Sequence, residues 1–367
     1  MNLLMISGDR SVLRGRKGAF WYTLQELSRH WERIDVICPN GPAPEGAFFG
    51  NVHFHPSPRG LWYQPLWIRS RGSALAAERA YGVMTVHEFP PFYNGIGARW
   101  LSRLTGIPVV LEIHHVVGHP DPASAAEAAG LALARVYLPG AIKAARAVRI
   151  VSSGVRETLI GFGADAAKLH VVPSFYLDSG MLRPDPSIKK TVDVVFCGRI
   201  VANKGLKELL KAVALLPAAT LLVIGDGSEL VHSKRQAKTL GITGRVCFAG
   251  WLPTQADVVA AIQSGKIFVM NSRSEGGPRV ALEAMACGMP TIATRVGVMP
   301  DVLEDGVNGL FTTGSSGDLA QKIRTLLEDA ALRARLGNAA MSIGERFERS
   351  ALIKNYADFL RSASTLP

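Results

Sequence analysis

The chain has 367 residues, 48% apolar and 19% charged, a globular composition that excludes a disordered or fibrous protein and supplies more than one core. Its 41 lysines and arginines outnumber 30 acidic residues for a formal charge of +11, so anionic partners are favoured: nucleic acid, phosphorylated metabolites or acidic lipid surfaces. No apolar run approaches the ~18 residues that a membrane-spanning helix needs.

Short apolar runs alternate with helix-period stretches from the start, the rhythm of parallel sheets with crossover helices. The first half predicts strands at 2–7, 34–39, 52–56, 83–88, 108–114 and 147–153, with helices at 20–29, 96–104 and 123–145. Segment 178–190, DSGMLRPDPSIKK, combines prolines, a glycine and charges and reads as a linker. The rhythm resumes with strands at 192–199, 220–225, 246–250, 267–271 and 290–294. Helices are expected at 204–216, 230–240, 258–264 and 278–286, and three more close the chain at 318–328, 331–343 and 351–362. In the last, Leu352, Ile353, Tyr356, Phe359 and Leu360 form one stripe that requires a partner surface. The fold class is α/β, with two doubly wound sheets and ligands at the carboxyl ends of their strands.

Two stretches carry chemistry. In SRSEGGPRVALEAMACGMP (272–290) a strand runs into a glycine-bearing loop, Pro278 marks a helix start and Gly288 its end. Glu275 then lies in the loop and Glu283 inside the helix, while Gly276 and Gly277 let backbone N–H groups approach a ligand at the positive end of the helix. Carboxylates grip sugar and ribose hydroxyls well. The alternative is an ordinary Arg279–Glu283 helix pair with a solvated Glu275. In FCGRIVANKGLKELL (196–210), Arg199 ends a strand and Lys204 begins a helix, two cations on one βα turn that suit a diphosphate.

G-R-x-x-x-x-K-G, followed by E-x7-E within E-G-G-P-x-x-x-L-E-A-M-A-x-G-x-P, resembles the retaining glycosyltransferases of family 4. The likeness covers most of the chain and is densest over 194–309. It implies a GT-B fold: two Rossmann-like doubly wound domains with an interdomain cleft. Residues 1–183 would form the acceptor-side domain, with the helical segment 348–367 packing back on it, and 184–347 the nucleotide-sugar donor domain. It further implies that Arg199 and Lys204 hold the donor diphosphate, that Glu275 contacts the donor sugar and Glu283 the nucleotide ribose, and that the base lies against RVCFAGWL (245–252). Relatives often carry a histidine six residues past the proline of a P-V-V strand near the donor sugar. Here Pro108 leads to His114, and adjacent His115 leaves the register open. The family's glycine-rich loop at the donor phosphates corresponds to SGDRSVLRGRKGAF (7–20), where Gly18 opens the helix. Arg14, Arg16 and Lys17 could instead meet an anionic acceptor or solvent. One departure is VPSFYLD (172–178) where relatives have N-G-V-D, so contacts from that segment are not carried over.

Other features are plain. Gly225 and Gly227 read as a simple strand-to-helix turn. His53, His55 and His87 show no ligand spacing and no D-x-D clamp follows a strand, so no metal or other cofactor is expected beyond the donor substrate. Cys38, Cys197, Cys247 and Cys287 lie far apart with no C-x-x-C pair, which argues against a zinc site or disulfide framework and suits a reducing cytoplasm. MNLLMISGDR lacks the flanks of a signal peptide. Segment 59–103 interleaves arginines with Trp62, Tyr63, Trp67 and Trp100. It reads either as a surface for anionic headgroups or as a loop whose tryptophans fill the core, since Pro58, Gly60, Pro65 and Gly72 interrupt an amphipathic helix.

The expected activity is retaining transfer of a hexosyl unit from a nucleoside diphosphate sugar to a glycan, lipid-linked or small-molecule acceptor. The expected place is the cytoplasm, with peripheral contact on the inner membrane face. The competing classes are a non-catalytic nucleotide- or nucleic-acid-binding protein and a GT-B nucleotide-sugar epimerase. No nucleic-acid module is visible, and epimerases lack the Arg/Lys and E-x7-E pairing.

Overall fold

Seven parallel strands build the first sheet of the computed structural model, in which residues 1–42, 44 and 46–365 are described. They are β1 (Asn2–Ile6), β2 (Arg33–Cys38), β3 (Val52–Pro56), β4 (Tyr81–His87), β5 (Val109–Ile113), β6 (Ala147–Ile150) and β7 (Leu169–Val171), in the order β3-β2-β1-β4-β5-β6-β7. The crossovers carry α1 (Ala19–Leu27), α2 (Gln64–Glu78), α3 (Tyr93–Thr105), α4 (Ala125–Ala144) and α5 (Ser153–Gly161). Leu3, Leu4, Val36 and Val83 are fully buried, as expected of parallel strands covered on both faces.

A second parallel sheet has the order β10-β9-β8-β11-β12-β13. Its strands are β8 (Val192–Cys197), β9 (Leu221–Ile224), β10 (Val246–Gly250), β11 (Gly265–Met270), β12 (Thr291–Thr294) and β13 (Leu310–Thr312). Its helices are α6 (Leu206–Ala214), α7 (Leu230–Thr239), α8 (Gln255–Gln263), α9 (Arg279–Ala286), α10 (Met299–Val302), α11 (Ser316–Glu328), α12 (Ala330–Ala340) and α13 (Ile343–Arg346). One core cluster joins Leu209, Leu210 and Val213 of α6, Ile323 and Leu326 of α11, and Val194 and Val223 of the sheet. Each such buried side chain contributes about 1.5–3 kcal/mol. Starts are capped where the sequence supplies a short polar residue: Thr254 and Asp257 form a reciprocal capping box on α8, and Ser152 caps α5.

Both sheets reverse strand order beside their first strand, between β1 and β4 and between β8 and β11. That switch point is where doubly wound folds bind ligands.

The chain divides into two units. One comprises Met1–Val117, Ala129–Ser174 and the chain from Ser350 on; the other comprises Gly118–Ala128 and Phe175–Arg349. The division falls earlier than the expected join at 183 because Leu177 N–H donates to Phe347 O at 2.7 Å and the Phe175 ring lies 5.7 Å from that of Phe347. The C-terminal helix (Arg349–Thr365) buries Ile353, Tyr356, Ala357 and Leu360 within the first unit, where Arg361 donates to His30 O. The last two residues of the expected 348–367 segment lie outside the described residues.

Helix α2 overturns the expectation that Pro65 and Gly72 break this stretch. Pro65 sits in the first turn, where its missing N–H is no loss. Gly72 is set against α3: a Cβ there would fall 2.3 Å from Leu101 Cδ2. The glycine marks a close helix crossing rather than a break.

Candidate active site

In the second unit the site forms where β8 and β11 end. Past β8, Gly198 adopts φ 154 and Arg199 stands exposed; its carbonyl accepts from Val201 N–H at 3.1 Å, while its guanidinium has no hydrogen bond or ion pair among the described residues. The two glycines read as a simple turn have a specific task here. A Cβ on Gly225 would lie 2.0 Å from Gly198 O, and one on Gly227 2.3 Å from Ile200 O, so the chain after β9 packs backbone-to-backbone on both sides of Arg199.

The next turn, a 3-10 helix over Ala202–Lys204, ends at Gly205 with φ 68, where a Cβ would meet Asn271 O at 1.9 Å. Only glycine fits that conformation and that approach. Arg273 N–H donates to Asn203 O at 2.7 Å and binds this turn to the loop after β11. As a result Lys204 Nζ pairs with Glu275 Oε1, which also accepts from Ser272 Oγ at 2.8 Å. Thr294 Oγ1 fixes the same loop by donating to Ser272 O at 2.6 Å. The anion expected beside a cation at a helix start is, within the chain itself, Glu275.

Glu283 projects from α9 and is buried. Its Oε1 accepts from Arg279 Nε at 2.9 Å and from Gln255 Nε2 at 3.2 Å. Burial raises its pKa and these donors oppose the rise. The plain i,i+4 pair therefore exists, but with a buried carboxylate whose Oε2 is left for another donor. Gly277 packs on a ring, since a Cβ would lie 1.9 Å from Phe175. Gly276 O is approached by Gly297, whose φ of 59 brings the next loop to within 2.5 Å of it at the Cβ position.

In the first unit a cleft of about 580 Å³ opens at the carboxyl ends of β1, β4 and β5. His114 and His115 both line it. His114 Nε2 lies 3.1 Å from Glu112 Oε2. Gly18 opens α1 as its N-cap, but its Cβ position meets nothing within 4 Å and it is not among the residues lining the cleft.

Sequence reasoning missed the centre of this region, Glu112. Its Oε2 also accepts from Arg149 Nη1 at 2.7 Å, and its Oε1 accepts from the Thr85 and Tyr356 hydroxyls. Burial alone would raise its pKa; interaction with the His87 imidazolium, which forms only in acid, with the permanent charge of Arg149 and with His114 holds it well below the carboxylate range. The Arg149 guanidinium lies 3.6 Å from the Tyr356 ring centre and donates to the Val172 and Pro173 carbonyls. A signal was present, because Glu112 and Arg149 each interrupt an apolar strand and face each other in the β5–β6 register. Buried opposite charges on neighbouring strands require one another.

His87, which showed no ligand spacing, is brought with Glu112 and His114 to within 4.8 Å by the fold. The expectation that no such cluster forms is thus corrected. Glu112 is already matched by Arg149, two hydroxyls and His114, while His87 Nε2 stands 3.6 Å from it and His87 Nδ1 meets Ser7 Oγ at 3.1 Å. Burial pushes the His87 imidazole down to about 4, which leaves it neutral at ordinary pH.

Comparison with known proteins follows the same two-part division. The glycosyl transferases group 1 profile matches residues 182–342, and the glycosyl transferase 4-like domain matches 19–174. Both profiles describe glycosyltransferases and together they run along most of the chain, which supports a family 4 glycosyltransferase. A lipopolysaccharide core biosynthesis glycosyltransferase of Rhizobium meliloti is 36% identical over 46% of this chain and 49% of its own length, so the match spans about half of that relative. The sulfoquinovosyl transferase of Arabidopsis thaliana is 26% identical over 94% of this chain and 70% of its own. Among solved structures, Anabaena HepE with UDP and glucose superposes with a TM-score of 0.75 at 22% identity, covering 99% of this chain and 100% of that one. Sucrose-phosphate synthase of Thermosynechococcus elongatus reaches 0.82 at 18% identity, covering 98% of each chain. These likenesses establish the fold, two Rossmann-like units of the GT-B class.

Proposed function

We propose that the protein is a retaining glycosyltransferase that moves a hexosyl unit from a nucleoside diphosphate sugar to the hydroxyl of a glycan, lipid-linked or small-molecule acceptor. The observation that carries this reading is the Lys204–Glu275 pair linking the ends of β8 and β11, with the exposed Arg199 side chain at the same edge of the sheet. A diphosphate arriving there would draw Lys204 from Glu275 and gain Arg199, and Glu275 would be released to the sugar hydroxyls. Glu283 Oε2 would take the ribose. The bond from the anomeric carbon to the diphosphate oxygen breaks, the acceptor oxygen bonds on the same face, and its proton passes to the departing diphosphate. The two cations stabilise the charge that develops on the leaving group, so no metal is required. The family likeness implies a sugar-facing role for His114, which lines the first-unit cleft.

A peripheral membrane contact fits the first unit. Leu61, Trp62 (65% exposed), Leu66, Trp100 and Leu104 are exposed, as are Arg59, Arg69 and Arg103. Trp67 instead turns inward and donates to His55 O at 3.1 Å. Among the described residues no helix is long and apolar enough to cross a membrane.

A thermal-shift panel of UDP, GDP, ADP and TDP sugars, followed by transfer assays with and without EDTA, tests the reading. One nucleoside diphosphate sugar should raise the melting temperature, and transfer should survive chelation. A panel without a stabilising nucleotide would overturn the proposal, and activity abolished by EDTA would overturn its metal-independent form.

A further inference from the structure

We infer that the first-unit cleft holds an anionic group of the acceptor, a phosphate or a carboxylate, through Arg10, Arg14 and Arg16. The inference rests on the glycosyltransferase reading and adds the chemical class of the acceptor. All three arginines line the cleft. Arg14 closes a short 3-10 turn, Gly15 reverses the chain with φ 71, and Arg16 N–H returns to Ser11 O at 3.0 Å, so the two guanidinium stems leave one tight bend. Arg10 is anchored by Nη1 donating to Asn40 O at 2.7 Å. Lys17, the other base of this loop, is drawn aside over the Trp21 ring at 5.6 Å.

The acids of the cleft do not neutralise these arginines. Glu112 is matched by Arg149. Glu88 is 5% exposed and lies against Gly95 and Tyr137, which with Phe89 supply the donors that oppose its rise in pKa. Burial pushes its carboxyl up to about 8, so it is mainly neutral at pH 7 and offers a proton rather than a repelling charge. Asp9 remains, and it is engaged by Ser11 N–H at 2.7 Å. Three cations, Arg10 half-buried and Arg14 and Arg16 exposed, therefore line one concave site that holds a single ionised carboxylate not matched by a cation, Asp9. Phe89, 45% exposed, adds a ring for the apolar face of a sugar.

Calorimetry on the full chain tests the assignment, with the donor site saturated by whichever nucleoside diphosphate stabilises the protein most. A hexose 6-phosphate, a hexuronic acid and the free hexose are titrated into wild type and into Arg14→Gln/Arg16→Gln. A second arm uses phosphatidylglycerol–phosphatidylcholine vesicles against phosphatidylcholine alone. The charged probe of one arm should bind at least about tenfold more tightly than its neutral counterpart. The double variant should lose that preference and keep its nucleoside diphosphate affinity. Preference in the soluble arm assigns the anion to a free sugar acid or phosphate; preference confined to vesicles assigns it to a lipid headgroup. Equal binding of charged and neutral probes in both arms overturns the inference, as does a preference that survives in the double variant. Loss of nucleoside diphosphate affinity in that variant would give the arginines to the donor and leave the glycosyltransferase reading standing. A wild type that binds no nucleoside diphosphate removes that reading, while the charged-probe titration still reports on the cleft.

Discussion

Lys204 and Glu275 are each other's partner, so substituting either one alters what the other can do. Arg199→Ala and Lys204→Ala should each weaken nucleoside diphosphate binding by on the order of 2–5 kcal/mol, the range for truncating one member of a desolvated charge pair. Glu275→Ala should instead lower turnover with a smaller change in nucleotide affinity, because its place is the loop rather than the helix. Glu283 differs in kind: it is buried and held by Arg279 and Gln255, so Glu283→Ala should mainly reduce nucleotide affinity. Gln255→Leu should reproduce part of that loss by freeing Oε1 from one donor. Calorimetry with free nucleoside diphosphate separates these cases. Equal affinity losses in the Glu275 and Glu283 variants would refute the division of roles, and an unaffected Gln255→Leu would show that Arg279 alone orients the carboxylate.

At the scale of elements, the donor-side turn and helix were legible because glycine, proline and charge fall at fixed offsets within one short stretch. The Glu112 network was not, because its members come from β4, β5, β6 and the C-terminal helix and meet only through strand order and register. Tyr356 appeared in the sequence only as part of an apolar stripe, and its hydroxyl gave no hint of a buried acceptor 244 positions away. Helix α2 was hidden for a different reason: Gly72 lowers helix propensity locally, and the close approach to Leu101 that requires it is a tertiary fact. Tyr356→Phe keeps the ring beneath Arg149 and removes one donor to Glu112, so it should destabilise the chain by about 1–3 kcal/mol. Denaturant unfolding monitored in the first unit checks this. A variant as stable as wild type would mean that Thr85 and Arg149 satisfy Glu112 alone and that the helix is held by its apolar stripe.

For the whole molecule, the two sheets repeat one topology and place polar groups at the same edge of each, which is why ionisable side chains concentrate where strands end. Stability must then depend on pH in opposing ways. His87 is depressed to about 4 from 6.5, so its contribution is present above pH 6.5 and fades as pH falls toward 4. Glu88 is raised to about 8 from 4.5, so the folded chain favours its protonated form. The corresponding stability is complete below pH 4.5 and lost as pH rises through about 8. Glu88→Gln keeps the shape and removes the titration. Relative to wild type, this variant should therefore gain stability steadily between pH 5 and 8, by on the order of a few kcal/mol in all. Both chains share every other titrating group, so the difference between their unfolding midpoints across that range isolates Glu88. Two-state unfolding is not assumed for a chain of two units, so the comparison belongs to the transition of the first unit rather than to a single global midpoint. Midpoints that run parallel from pH 5 to 8 would show that Glu88 is ionised in the folded protein, and the cleft would then carry a second carboxylate facing its arginines.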